Sequence, residues 1–558
     1  MMQPHPRPNA NIKLDLSKIK LSKLSAIVIS LIVLAFVLYF VMPTLSLRFT
    51  GWIVPLIIVL CPLIFIPRLQ KPVKYIAIVM GAWLLISAIF SSGIFNAGRY
   101  RRLIGEVKST EFSELVSPVN LDQVPIIDQH FAASLAEKKL GEDFALGSRV
   151  SLGFPTIQNV DGKLFWVIPL LHSGFFKWLA NTADGTPGYI KVSATNPQDI
   201  TFVRQLNGKP IKIKYQKNSC FAQDLYRHLY QHGFSGVGLA GDTFEIDDQG
   251  EPYWTITTYT HKIGVLANEA TGLATIHAET GEIKYYPLIK TKEGFDDSRI
   301  PAWVDRAQPA YFVMPQLNWW GKYVRGFWNT LFGKRDMLML TEGYNVIFGK
   351  DHRSYFYTGL SSVGNDEGTV GFSLTDTRSK ESHLYRVSGA TEYAAMQSAE
   401  GKVQNFKYRA TFPILVNMGG KPTYFMTLKD SAGLVKMFSF VSVSDFSTVG
   451  VGENMKSARD NYQMALAGSR IGTLPEGSLA KESFEGSIAR IGSDIKDGRT
   501  FYYLVLKEKP GNIYIATSNL SSFLPITSLG DRIRISYMPT TDKEISLSEL
   551  KNLSMGEQ

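Results

Sequence analysis

Asp224, His228 and His232 recur at i, i+4 and i+8. On a helix over 219–232 they would project from one side, at a spacing that can chelate a metal. Phe221, Leu225 and Leu229 adjoin them, and a histidine in a last helical turn is favoured by the macrodipole alone. No Glu lies between the histidines, as a metalloprotease would require. Capping or packing is therefore the favoured role for all three, and a metal site the minor one.

The remaining chemical phrases are weaker. Gly236-Val237-Gly238-Leu239-Ala240-Gly241 satisfies G-x-G-x-x-G, but a helix precedes it and a strand follows, the reverse of a dinucleotide site, so a loop is expected. Gly450-Val451-Gly452 lacks a third glycine. Asp247-Asp248-Gln249-Gly250 lacks the alternating carboxylates and late Glu of a calcium loop and reads as a hairpin turn. Ser17 and Lys20 form S-x-x-K in a basic tail, where the spacing carries no weight. No catalytic residue and no cofactor is expected.

Gln316 to Arg335 (QLNWWGKYVRGFWNTLFGKR) holds three tryptophans and no acid. As one helix it would set Leu317, Trp320, Val324, Phe327, Trp328 and Leu331 along a stripe, opposite Asn318, Lys322, Arg325 and Asn329. Such a helix either packs into a core, the favoured reading, or lies among lipid headgroups with Trp320, Phe327, Trp328, Lys322 and Arg325 at the interface.

Composition bounds what these residues can belong to. The 558 residues are 45% hydrophobic and 19% charged, with Lys+Arg 59 against Asp+Glu 49, which excludes a collagen, a disordered tail and a disulfide scaffold. Residues 1–102 hold 12 of the basic side chains and one acid, Asp15, leaving 47 against 48 in the remainder. The basic excess is N-terminal, so no nucleic-acid partner is expected.

That N-terminal part reads as a basic cytoplasmic tail (1–23) and a three-helix membrane anchor (24–102), with spans at 24–42, 49–66 and 75–95. Each stretch lacks charge and can cross a ~30 Å hydrocarbon layer; the middle one, interrupted by Gly51, Pro55 and Pro62, is the weakest. Arg7, Lys13, Lys18, Lys20, Lys23, Arg68, Lys71 and Lys74 would lie on one side, against Arg48, Arg99, Arg101 and Arg102 on the other. Because basic residues are retained in the cytoplasm, the tail is expected inside and residues 103–558 outside.

A turn-and-strand phrase recurs in the large part: Asn159 to Leu170, Asp248 to Tyr259 and Asn417 to Leu428, each followed by a second alternating strand, at 188–194, 272–278 and 436–443. A looser copy spans 352–375. Helices are expected before the units at 125–140, with Asp122 as cap, at 219–232, and at 390–399, with Gly401 after it. The expected class is α+β: three transmembrane helices, then helix-plus-hairpin modules over 103–215, 216–300, 301–387 (with the aromatic helix) and 388–467. A linker at 468–484 leads to a small barrel and tail at 485–558, with Asp497-Gly498 and Pro510-Gly511-Asn512 as turns.

The strand Ala274-Thr275-Ile276-His277-Ala278 running into Glu279-Thr280-Gly281-Glu282-Ile283 resembles PepSY-type domains, small extracytoplasmic modules. The first and last units carry Asn196-Pro197-Gln198-Asp199 and Ser444-Asp445-Phe446 at that place. Gly530-Asp531-Arg532-Ile533-Arg534-Ile535 resembles the closing strand of OB or SH3-like barrels. The resemblance implies a binding or inhibitory envelope module with no catalytic residue to carry over.

The expected function is accordingly a non-catalytic binding, scaffold or sensor protein of the bacterial-type cell envelope, held in the cytoplasmic membrane. Its partners would be the lipid bilayer and an envelope protein or polymer, with oligomerisation through the helices left open. The alternatives are a metal-dependent envelope hydrolase and a subunit of a translocation or secretion complex.

Overall fold

The computed structural model describes residues 22–112, 116, 124–143, 146–349, 351–363, 368–468, 482–496, 499–518, 520–537 and 543–556. The basic side chains of the tail before Ser22, the S-x-x-K spacing, Asp122, the Asp497-Gly498 turn and most of the 468–484 linker lie outside the described residues.

Among the described residues two helices, not three, are long and apolar enough to cross a membrane: Lys23–Val41 (19 residues) and Gln70–Phe90 (21 residues). The stretch expected as a middle span folds as an eight-residue α-helix, Ile53–Leu60, and a five-residue 3-10 helix, Cys61–Phe65. Pro62 opens the 3-10 turn, and a proline removes the donor that would continue the α ladder. At their respective rises the two pieces reach about 22 Å, short of a ~30 Å hydrocarbon layer. The span expected at 75–95 is also displaced. Its helix starts at Gln70 and stops at Ser91, and a separate helix, Gly93–Arg101, begins behind Ser92.

Both apolar helices end on the globular part. At the first, Arg227 Nε donates to Tyr39 O (3.1 Å), Tyr230 Oη to Pro43 O (2.9 Å) and Leu45 N to Ser235 O (2.7 Å). At the second, Val265 N donates to Ser91 Oγ (3.1 Å) and Arg99 to Lys262 O (3.1 Å). The two C-terminal ends therefore meet one body, and the chain returns between them along Ile53–Phe65.

Beyond the helices the architecture is mixed α/β, made of many small sheets, with a β-rich C-terminal region. It replaces the three-helix α+β class expected above. The first sheet orders Val150–Leu152, Lys163–His172, Tyr189–Ser193 and Ile200–Val203, with Thr156–Val160 also on Lys163–His172. Helix Gln129–Gly141, capped by Asp128 and not by Asp122, packs Ala132, Ala136 and Leu140 onto Ile168, Leu170, Ile190 and Val192. The other face sets Phe165, Val167 and Tyr189 against Phe244, Trp254 and Ile276 of the second sheet, Gly238–Ile246, Pro252–Ile263, Leu266–His277 and Ile283–Pro287. Because both faces are covered, Lys163–His172 reads as a continuous apolar run and not as an alternation.

The third sheet joins Leu338–Leu340, Ser354–Ser362, Gly371–Asp376 and Ser382–Tyr385, with Asn345–Phe348 also paired to Ser354–Ser362. Its edge is Val107–Ser109, parallel to Ser382–Leu384, so the chain leaving the apolar helices crosses to this sheet first. The fourth orders Arg409–Ala410, Lys421–Lys429, Val435–Ser442 and Val449–Gly452, with Ile414–Met418 also paired to Lys421–Lys429. Helix Glu392–Lys402, capped by Thr391 and containing Gly401, covers one face. Helix Met455–Gly468 covers the other.

Gly450 and Gly452 explain their spacing here. A Cβ at Gly450 would lie 2.1 Å from Tyr462 N, and one at Gly452 2.3 Å from Ala458 N, so the bare strand lets the helix backbone approach. In the G-x-G-x-x-G segment, Gly238 already opens a strand and not a loop, its missing Cβ leaving room for the Tyr259 ring.

Glu482–Lys496, Arg499–Leu506, Lys509–Thr517, Glu544–Asn552 and Arg532–Tyr537 close a barrel around Ile488, Leu504, Tyr514, Ile535 and Leu550. Pro510-Gly511-Asn512 lies inside a strand, one residue past the turn at Lys507-Glu508. Closure rests on Glu544–Asn552, a strand that no turn or alternation pattern in the expected barrel marks. Its first residues pair parallel to Ile513–Ile515.

Gly450→Ala should destabilise the chain by about 1–3 kcal/mol through overpacking against the helix backbone, while Gly511→Ala, which meets nothing within 4 Å, should fall within about 0.5 kcal/mol of wild type. Urea titration in detergent compares the two; equal midpoints would contradict the packing.

Candidate functional site

The three residues with metal-ligand spacing do not form one ligand set, although the His228 and His232 rings lie 4.3 Å apart. Asp224 has left the helical register: it caps the short helix Leu225–Leu229, its Oδ1 accepting from Arg227 N (2.9 Å), and burial raises its carboxyl above the usual range. His228 Nε2 lies 2.8 Å from Gly281 O, its ring packs 4.6 Å from Tyr215, and burial lowers its pKa. His232 Nδ1 lies 2.7 Å from His228 O, past which the chain kinks. Two of the three side chains bond backbone of their own turn, and His228 holds the turn at Gly281. Among the described residues no group of three or more His, Cys, Asp or Glu is placed to hold a metal ion.

Among the described residues a cleft of about 620 Å³ is built jointly by all four open sheets and the loop before helix Ala310–Lys322. The first sheet gives Ile157 and Trp166, the second Asp242, Thr243 and Thr257, the third Asn345, Val346 and Phe356, and the fourth Phe425, Met426 and Thr427. Phe154, Tyr311 and Tyr344 stand exposed at its rim.

Each wall is held from behind. Trp166 Nε1 donates to Ile127 O (2.7 Å) and Gln129 Nε2 to Pro155 O (3.0 Å), fixing the entry of the first helix. Asp128 caps that helix and pairs with Lys429 of the fourth sheet (2.5 Å). The 305–309 wall hangs from Thr377, whose carbonyl accepts from Ala307 N (3.0 Å) and Gln308 N (2.8 Å), and from Thr257 Oγ1, which donates to Ala307 O (3.0 Å).

Behind the same wall lie two buried carboxylates. Glu245 Oε2 accepts from Asp305 N (2.8 Å), and Asp305 Oδ2 from Asn159 N (2.8 Å). Burial, and then the Glu245 charge, push the Asp305 carboxyl up to about 7; burial raises Glu245 as well. Neither lines the cleft, so the pair joins three chain segments and does not face a substrate.

The lining includes no His, Cys or Ser. Its two carboxylates are committed: Asp128 as described, and Asp242 to Lys217 (2.6 Å) and Tyr226 Oη (2.6 Å). Arg306 is the cation of the lining; its Nη2 donates to Ile157 O (3.3 Å), and its buried Nε has no hydrogen-bond partner. An aromatic cleft with threonine hydroxyls, amides and one guanidinium can hold an elongated, weakly charged chain; it has no nucleophile and base set side by side.

The aromatic segment divides. Helix Ala310–Lys322 ends at Tyr323, Gly326 turns at φ +80°, and Gly326–Trp328 and Asn329–Gly333 continue on a new axis. The expected single stripe is thus broken. Leu317 is buried, Trp320 and Phe327 are half-buried, and Trp328 and Leu331 are exposed. Arg101 lies over the Trp320 ring at 5.9 Å, Lys322 is exposed, and Arg325 is paired with Asp336.

No sequence motif marked the cleft or the strongest buried pair, Lys380 and Glu269. Lys380 Nζ donates to Glu269 Oε1 (2.6 Å), Leu103 O (2.8 Å) and Gln316 Oε1 (2.9 Å), using all three protons. Burial, partly offset by Glu269, holds its pKa down at about 8. Partners 111, 277 and 64 positions away leave no local signal.

No family model matches this chain, and no curated protein matches it. Among solved structures, a B. megaterium levansucrase variant is 8% identical over 84% of this chain and 99% of that chain, with TM-score 0.18. A xylan beta-1,4-xylosidase from Bacillus Halodurans C-125 is 12% identical over 72% and 56%, with TM-score 0.16. A polysaccharide lyase is 9% identical over 63% and 74%, with TM-score 0.15. Scores this low carry no argument about fold or activity.

Lys380→Met should cost about 3–5 kcal/mol by leaving Glu269 buried against a lysine 3.6 Å away, and Lys380→Met with Glu269→Leu should recover most of that loss. Denaturant midpoints of the two variants measure the difference; a double variant no better than the single one would contradict the pairing. A carboxyl raised in the folded state binds more protons there than when unfolded between pH ~4 and ~7, so the Asp305 contribution is fully present below about pH 4 and is lost as pH rises towards 7. Wild-type stability minus that of Asp305→Asn should fall across that window; thermal scans at pH 5 and 7.5 read it, and a constant difference would remove the assignment.

Proposed function

We propose that this chain is a membrane-anchored, non-catalytic binding protein of the cell envelope, whose four-sheet cleft receives an extended segment of an envelope protein or polymer. The observation that carries this reading is the cleft itself, aromatic and lined from all four open sheets, its two carboxylates already engaged by Lys429, Lys217 and Tyr226. Its position at the junction suits a scaffold or sensor, since an occupant touches all four sheets at once.

The anchoring half of the proposal rests on the two apolar helices and on where they end. Lys23, Arg68, Lys71 and Lys74 lie at the ends remote from the globular part. Adding the basic tail, the retention of Lys and Arg in the cytoplasm favours a globular part on the opposite, extracytoplasmic face, the connection 43–69 returning between the two parallel helices through its short helical pieces and the chain that flanks them. The PepSY-type reading of 216–300 belongs to the same proposal. It is supported by the turn at 279–282, where His277 Nδ1 accepts from Glu279 N (3.2 Å) and Thr280 N (3.3 Å), and by the bond from His228 to Gly281 O.

A photo-crosslinking residue at Tyr344 should give a discrete adduct in intact cells, and the same residue at the exposed Tyr393, outside the cleft lining, should not. Absence of an adduct at 344, or turnover of an envelope substrate by the purified chain, would overturn the binding reading. A C-terminal reporter active in the cytoplasm would overturn the placement.

A further inference from the structure

We propose that the globular part stands on the bilayer through three apolar feet, Phe175–Phe176–Leu179, Leu266 and Trp328–Leu331–Phe332, which enter the headgroup layer of the leaflet where the two apolar helices end. This deepens the anchoring reading above and rests on it. The feet sit where burial would not leave them. Phe332 is 81% exposed, Phe176 79% and Trp328 65%, although large apolar side chains bury area readily.

Each foot adjoins a helix end. From Phe175 a ladder of rings leads to Trp178 (5.8 Å), Phe221 (5.5 Å) and Tyr39 (6.3 Å), in the last turn of the first apolar helix. Leu266 is at the hairpin tip whose Val265 N donates to Ser91 Oγ, one residue past the second. Trp328 stacks with Phe332 (6.0 Å) and adjoins Phe327, which packs with Ala97 and Tyr100; Tyr100 Oη donates to Ser91 O (2.7 Å). A bilayer around the helices therefore reaches all three.

Charge points to the same occupant. Lys177, Lys262, Lys334 and Arg335 are exposed within a few residues of the feet, while residues 103–558 are close to neutral in total. Apolar rings beside cations match acyl boundary and phosphate together. The broken axis at Gly326 serves this arrangement: the first half of the aromatic segment stays in the core, and the turn directs Trp328 and Phe332 outward.

The test uses the full chain in vesicles of phosphatidylcholine and phosphatidylglycerol, with and without lipid brominated at carbons 6 and 7. Phe332→Trp and Phe176→Trp add reporters at two feet, and Phe154→Trp adds one at the cleft rim. Brominated lipid should lower the added emission at 332 and 176 at least twofold, with acrylamide having little effect; the reporter at 154 should behave in the opposite way. Added emission at 332 or 176 quenched by acrylamide and not by lipid, or by neither as under a second copy, overturns the footing. The parent chain separates the two proposals. If the emission lost on Trp52→Phe with Trp83→Phe is itself insensitive to brominated lipid, the anchoring reading fails; if it is quenched while the added reporters are not, only the feet fail.

Discussion

Lys380 spends its three protons on three different parts of the chain, and that single ammonium joins the segment after the second apolar helix to the second sheet and the aromatic helix. It receives the carbonyl of Leu103 from the segment leaving the second apolar helix, the carboxylate of Glu269 from the second sheet, and the amide oxygen of Gln316 from the aromatic helix. Lysine and glutamate are each about 2% exposed. Desolvating them costs several kcal/mol per ion; the ammonium is fully hydrogen-bonded, while Glu269 Oε2 makes no hydrogen bond and has only the Lys290 charge 3.6 Å away. What the pair specifies is relative placement, because a shift of any one partner strands a buried charge.

The same logic operates at smaller scale around the cleft. Glu245, Asp305 and Gln158 join the first two sheets to the 303–305 segment through bonds to backbone: Gln158 Nε2 donates to Ile246 O (2.6 Å) and Trp303 O (2.9 Å). Arg353 spans Asp297 (2.8 Å) and Asp376 (2.5 Å), and Arg378 adds the carbonyls of Ile300 and Val304, so the third sheet holds the wall from the other side. Apolar packing stacks sheet on helix, and these polar joints set how the stacked units meet. The cleft is what remains between them.

Local patterning in the sequence went far where an element is decided by its own residues. The alternation at 188–194 marks the strand Tyr189–Ser193, and Asp247 to Gly250 make a hairpin turn in which Asp247 Oδ1 accepts from Gln249 N and Glu251 N. It failed where neighbours compete with local preference. A regular helix over 219–232 yields to a cap at Asp224 and a kink at His232-Gly233, so spacing along the chain no longer maps onto one face. The apolar stretch at 49–66 has the composition of a span, but its prolines convert the far half to a 3-10 turn and shorten it. The Trp-rich stripe assumes one axis, and Gly326 supplies two.

By itself the sequence determined that long uncharged stretches stand near one end, though it counted three spans where the structure has two long apolar helices, that the basic excess lies there, and that short strands with Gly-containing turns dominate the rest. Composition, charge and period-two alternation are properties of neighbouring residues, and folding does not alter them. Only the tertiary structure decided that both apolar helices end on one body, that Glu544–Asn552 closes the barrel, and that residues from Pro125 to Thr427 share one aromatic cleft. Those outcomes depend on contacts between groups tens to hundreds of positions apart. Their free energy comes from desolvation and mutual hydrogen bonding, which no local window records.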